Sequence, residues 1–146
     1  MIQRIQSLYL LLAAAAGIGT WFLNIWKATL NDGSIRYFNA QSSFIVFLVL
    51  MLVVGLALFC IFLFKNRKLQ FRLTILNILL SLAAIALQYF KVQDSANELQ
   101  AQGKLITTAT YLPGAFLPVL IFIFLLLAAR GIFKDEKLIK SLDRLR

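Results

Sequence analysis

YFNAQSSFIVFLVLMLVVGLALFCIFLF, residues 37–64, runs for 28 positions without a charged side chain, and from residue 44 onward it is almost wholly Leu, Val, Ile and Phe. At ~1.5 Å of rise per helical residue, ~20 apolar residues cross the ~30 Å hydrocarbon layer of a bilayer. Residues 44–64 therefore read as a membrane span with a broad lipid-facing surface. Working outward, three more uncharged runs appear at residues 5–26, 73–90 and 105–129, and all 15 Lys and Arg lie between or beyond the four runs. The pattern predicts an all-α membrane protein: one four-helix transmembrane domain over residues 1–146, with spans at about 8–26, 44–64, 73–90 and 111–129 and a cytoplasmic tail at 130–146.

Composition points the same way. With 61% hydrophobic residues and a mean hydropathy of +0.84, a soluble chain of 146 residues would carry more apolar surface than one core could hide. A lipid bilayer is the solvent this composition requires. The pI of 10.1 and net charge of +9 raise nucleic acid as a partner, but the placement of the charges answers the question. Eleven basic side chains lie before the first span, between spans two and three, and after span four; only Lys27, Arg36, Lys91 and Lys104 lie in the other two loops. An excess of Lys and Arg in the loops of one side marks that side as cytoplasmic, so both termini are expected inside. Topology and anionic lipid account for the charge, with no nucleic-acid partner. Arg4 followed by an apolar run ending at Ala13 to Gly17 resembles a signal peptide, but the run continues through Trp21, Phe22 and Trp26, too long for an ordinary leader. It reads as an uncleaved first span.

Small residues recur at helical spacing in that span: Ala13 with Gly17, Ala15 with Gly19, and Ala16 with Thr20. In lipid, small residues four apart let helix backbones approach, either within the bundle or across a dimer interface. Trp21 and Trp26 are expected at the headgroup level of the outer surface. In span three, Thr74, Asn77, Ser81, Ala84 and Gln88 share one helical stripe. Amides are costly against lipid, so this stripe should face the bundle interior or a partner. Span four should begin near Pro113, with Pro118 bending its first turns.

The loops carry β signals. Asn31-Asp32-Gly33-Ser34 between β-branched and aromatic flanks suits a tight hairpin, and LITTATY, residues 105–111, has strong β propensity. A small β element on the outer face would join these edges. Between them, Ser95 and Glu98 fit a capping box that would start a short polar helix ending near Gly103. In the tail, Leu138, Leu142 and Leu145 recur on one face, widened by Ile139, while Lys134, Lys137, Lys140 and Arg144 supply charge. Residues 131–146 should thus form a short amphipathic helix at the cytoplasmic surface, in contact with anionic headgroups or an acidic partner.

Catalytic chemistry is sparse. The chain has no histidine and a single cysteine, Cys60, which removes the usual zinc, copper and haem ligand sets, paired-thiol redox chemistry and the commonest general base. No Asp or Glu lies within a span, so the buried carboxylate of a proton-coupled transporter is missing. No cofactor is expected, and an enzyme acting on lipid or quinone is the least favoured class.

The ends of the chain carry a resemblance. MIQRIQSLYLLLA at residues 1–13, YLPG at 111–114 with a second proline at 118, and KDEKLIKSLDRLR at 134–146 are similar to a family of small four-span inner-membrane proteins of Bacteroidota, a domain of unknown function. The similarity spans essentially the full length and implies a fold and a location, with no catalytic residues. The resemblance leaves function open, but sparse chemistry beside ordered interaction surfaces leads to the expectation of a non-enzymatic inner-membrane protein that serves a larger membrane complex as an accessory or scaffold subunit. Its contacts would come from Ala13, Gly17, Asn77, Ser81 and Gln88 in the spans and Leu138, Leu142, Arg144 and Leu145 in the tail. The alternative is a small homo-oligomeric transporter or channel whose pore is lined by the stripe of span three.

Overall fold

The computed structural model of the chain describes residues 2–143. Helix α1 (Ile2–Phe22) runs directly into strand β1 (Asn24–Leu30). A hairpin follows, as Asp32-Gly33 implied: Gly33 has φ +79°, a left-handed conformation that side chains disfavour, and β2 (Ile35–Asn39) pairs antiparallel with β1. Asn39 and Ser42 then exchange capping hydrogen bonds across a 3-10 turn, and α2 (Phe44–Phe62) begins.

After a second 3-10 turn, the side chain of Asn66 caps α3 (Arg67–Ala101). This helix ends where Gly103, at φ +75°, lets Gly103 and Lys104 return their N–H groups to the carbonyls of Gln100 and Leu99. Strand β3 (Ile106–Tyr111) pairs antiparallel with the free side of β1, giving the sheet order β2-β1-β3. A 3-10 turn (Pro113–Phe116) leads into α4 (Leu117–Asp143).

Four helices are long and apolar enough to cross a membrane, and between 28% and 33% of each apolar window is buried inside the bundle. Of the remainder some side chains are half-buried, and others, including Leu48, Leu52, Phe59, Leu79, Leu82 and Leu126, face outward. Leu10, Leu50, Val53, Ile121, Leu125 and Ala128 form the centre of the core. Helix α1 packs against α2 and α4, and α3 against the same two.

The helices differ in extent from the four uncharged runs. The first stops at Phe22, and Trp26 belongs to β1, where it is 4% exposed beneath α3 instead of standing at a headgroup surface. Trp21 turns its ring toward Phe47 of α2, with centroids 5.9 Å apart. No separate helix starts at Ser95; its hydroxyl donates to the Lys91 carbonyl at 3.0 Å, inside a 35-residue α3. Loss of hydrophobicity ends a span, but no Gly or Pro interrupts residues 67–102, and the helix continues. The same holds at the other end. Residues 131–143 are not a separate amphipathic helix but the continuation of α4, and Pro118 sits in its first turn, where its missing N–H breaks no ladder bond. Leu142 lies on this helix, while Arg144 and Leu145 fall outside the described residues.

Candidate functional site

The stripe of α3 forms a buried polar seam. Gln70, Thr74, Asn77, Ser81 and Gln88, spaced by three or four residues and by one skipped turn, are all buried. Three amides reach across to main-chain carbonyls of neighbouring elements: Gln70 Nε2 donates to Cys60 at 2.9 Å, Asn77 Nδ2 to Val53 at 3.1 Å, and Gln88 Nε2 to Ala115 at 3.1 Å. The seam thereby ties α3 to α2 and to the turn that precedes α4. Thr74 and Ser81 donate back to the Gln70 and Ile78 carbonyls of α3 itself, each at 2.8 Å. Among the described residues nothing donates a hydrogen bond to Asn77 Oδ1 or Gln88 Oε1. The seam is built of amides and hydroxyls, with the Cys60 thiol beside the Thr74 hydroxyl at 3.9 Å.

Ala13 and Gly17 lie on the buried face of α1. A Cβ at Gly17 would overlap Cγ2 of Val54 on α2, so the small residue is what permits this approach. Thr20, one turn on, donates to the Gly17 carbonyl at 2.6 Å.

At the end of the bundle away from the sheet, the structure adds a pair that sequence reasoning missed. Gln6 Nε2 of α1 donates to Asp135 Oδ2 of α4, both side chains are buried, and Asp135 Oδ1 has no partner among the described residues. Gly131, one turn before Asp135, makes room: a Cβ there would stand 2.8 Å from Gln6 Cγ. The two residues are 129 apart in sequence, and only the Gly131, Asp135 spacing of four hinted at an inward-facing stripe. Leu138, by contrast, is about half exposed. Among the described residues no three His, Cys, Asp or Glu side chains converge.

The sheet end is built around Trp26. Residues 91–101 of α3 lie across one face of the sheet, with Val92, Ala96 and Leu99 packed into the cluster of Trp26, Ala28 and Phe38. A groove opens on each side of the helix. One, of about 300 Å³, runs along β2 and contains Arg36, Tyr37, Ser95, Glu98 and Gln102. The other, of about 390 Å³, runs along β3 between Gln93 and Gln100 on one wall and Thr107, Ala109 and Tyr111 on the other, with no charged side chain in its lining. At the hairpin tip Asp32 accepts from the Ser34 hydroxyl at 2.6 Å and its N–H at 2.9 Å, which hold its carboxyl below the ordinary carboxylate range. Lys91 and Asp94 form an exposed ion pair at 3.0 Å, of little energetic weight.

The profile of the family described as "Domain of unknown function (DUF4293)" matches residues 2–145. The chain belongs to that family. No curated protein and no solved structure matches it.

Proposed function

We propose that the chain is a four-pass protein of the bacterial inner membrane, with both termini cytoplasmic and the sheet outside, serving without catalysis as an accessory or scaffold subunit of a larger membrane complex. The membrane reading is supported by four helices long and apolar enough to cross a bilayer with large exposed apolar side chains along each of them, and the orientation by the basic residues gathered at the end opposite the sheet. The observation that carries the scaffold role is the inward bonding of the α3 seam. Gln70, Asn77 and Gln88 donate to carbonyls within the same chain, which leaves a rigid bundle with its distinctive surface at the sheet end.

Two experiments test this. In a Cys60→Ala background, an impermeant thiol reagent applied from outside should label a cysteine at position 33 and not one at position 68; the reverse overturns the orientation. Purification in mild detergent followed by mass spectrometry should return larger subunits in fixed ratio to the chain, and recovery of the chain alone defeats the scaffold role. The unbonded oxygens of Asn77 and Gln88 favour a second reading, an oligomeric transporter hydrated along the seam. Liposomes containing the purified protein would then show solute flux that Asn77→Leu with Gln88→Leu abolishes at unchanged abundance.

A further inference from the structure

Strand β3 leaves one edge of the sheet open. Leu112 donates its N–H to the Ile25 carbonyl at 2.9 Å, and in an antiparallel ladder alternate residues turn their main-chain groups the same way. Thr110 and Thr108 therefore face Lys27 and Thr29 of β1, their register partners, while Ala109 and Tyr111 direct N–H and C=O away from the sheet. Proteins blunt such edges with charge, proline or bulges. The β2 edge carries Arg36, but ITTATY in β3 has no charge and no proline, and its register shift falls at the far end, between Thr29 and Leu30.

The side chains of Ala109 and Tyr111 share a face with their cross-strand partners Ala28 and Trp26. That face opens into the uncharged groove beneath Gln93 and Gln100. A strand laid along β3 would bond to the outward main chain and drop every second side chain into this groove, the division of labour in which main-chain bonds supply affinity and pockets supply selectivity.

We propose that β3 accepts a fourth strand: an extended, uncharged segment of a partner protein, bonded to Ala109 and Tyr111 and seated in the groove beside Trp26. This rests on the accessory-subunit reading and names the contact it uses. Charge selects the segment, since the β2 groove offers Arg36 and Glu98 and the β3 groove offers no counter-charge. Symmetry disfavours a second copy. Strand β1 begins two residues after α1 ends, and β3 ends two residues before the turn into α4, so β1 leads out of the bundle and β3 leads back into it. Two copies in one bilayer, related by a two-fold axis along the membrane normal, would bring their β3 strands together in parallel with like residues level. In a parallel ladder a residue that turns its N–H and C=O toward the neighbour stands level with one that turns them away, so two like edges need an offset of one position, which such a two-fold forbids.

The test compares amide exchange of the full chain in native membrane vesicles and in lipid nanodiscs holding one copy. Tyr111 should exchange roughly tenfold or more slowly in the native membrane. Ala109→Pro deletes an outward N–H that β1 does not use and is tolerated on a sheet edge, and Thr107→Lys blunts the same edge without altering its backbone. Either substitution should bring Tyr111 to the nanodisc rate while Leu30 and Gly33, in the β1 hairpin, stay protected. Equal exchange at Tyr111 in both preparations of the unaltered chain overturns the proposal, as does protection that appears in nanodiscs holding two copies. Should a larger subunit co-purify equally with wild type and both edge variants, the accessory role stands and the strand site falls; should none co-purify with wild type, the role falls and the site with it.

Discussion

Adding one methyl group to α1 tests the helix packing directly. A Cβ at residue 17 would overlap Val54 Cγ2, while its next neighbours, Val54 Cβ and Ile121 Cδ1, would stand at an ordinary 3.7 Å. Valine on a helix keeps one χ1 rotamer about nine times in ten, so Cγ2 does not swing aside without strain. Gly17→Ala should therefore cost about 1–3 kcal/mol, through an off-rotamer valine or separated backbones. Val54→Ala alone removes both γ-methyl groups from a buried site and should cost about 1–3 kcal/mol through the void it leaves. Combined, the two changes complement each other, because the new methyl meets the retained Cβ at 3.7 Å. The double variant should lie near wild type instead of at the sum, a coupling of about 1–3 kcal/mol. Unfolding in mixed micelles of increasing denaturing-detergent fraction, followed through Trp21 and Trp26 fluorescence, gives the four free energies. Additive costs, or a Gly17→Ala protein as stable as wild type, would refute the close approach of α1 and α2.

Gly114→Ala should be harsher, at or above ~3 kcal/mol, because its Cβ would stand 2.5 Å from the Asn24 carbonyl oxygen and 2.9 Å from that of Leu23, main-chain atoms that cannot rotate away. Gly55→Ala, with nothing within 4 Å, should be neutral or stabilising by up to about 1 kcal/mol in the same unfolding assay. Asn77→Leu and Gln88→Leu should each change stability by only about 0.6 kcal/mol, at most ~1.7, since each removes an unbonded oxygen together with its hydrogen bond; a loss above 3 kcal/mol in either would mean the seam is stronger than its geometry. Asp32, whose carboxyl is held below its ordinary 3.8, stabilises the hairpin above that pH and loses the contribution as pH falls through its folded value. The Ser34 amide, followed by NMR, should lose its hydrogen-bonded shift there, and Asp32→Ala should remove the dependence.

Much of this arrangement was legible because long uncharged apolar runs make a strong pattern: they located all four helices, and Asp32-Gly33 with ITTATY located the strands. The inward face of Asn77, Ser81 and Gln88 followed from the cost of an amide in hydrocarbon. Helix ends were read less well, since hydropathy reports burial in lipid while a helix stops only at a breaker or a competing pairing. Lys91 through Ala101 contain no breaker, so α3 passes the end of its apolar run. Trp26 lies within an uncharged run, yet its main chain pairs with Phe38 and Tyr111, and such pairing between distant segments leaves no local trace. The Gln6 and Asp135 contact was illegible for the same reason. The open edge of β3 becomes visible only once β1 is known to occupy the other side.

The sheet order has a consequence for how the chain is made. Strand β1 lies between β2, which follows it at once, and β3, which is synthesised some seventy-five residues later, and α1 packs against α4, which emerges after the other three helices. The amino-terminal third thus leaves the ribosome with half of its main-chain partners and one of its helix faces still unmade. Until the carboxy-terminal third arrives, β1 presents an unpaired border and Gln6 has no carboxylate to meet. Closure is therefore a late event joining α1 to α4 and β1 to β3, and a polypeptide arrested before β3 would leave one side of β1 and one face of α1 bare.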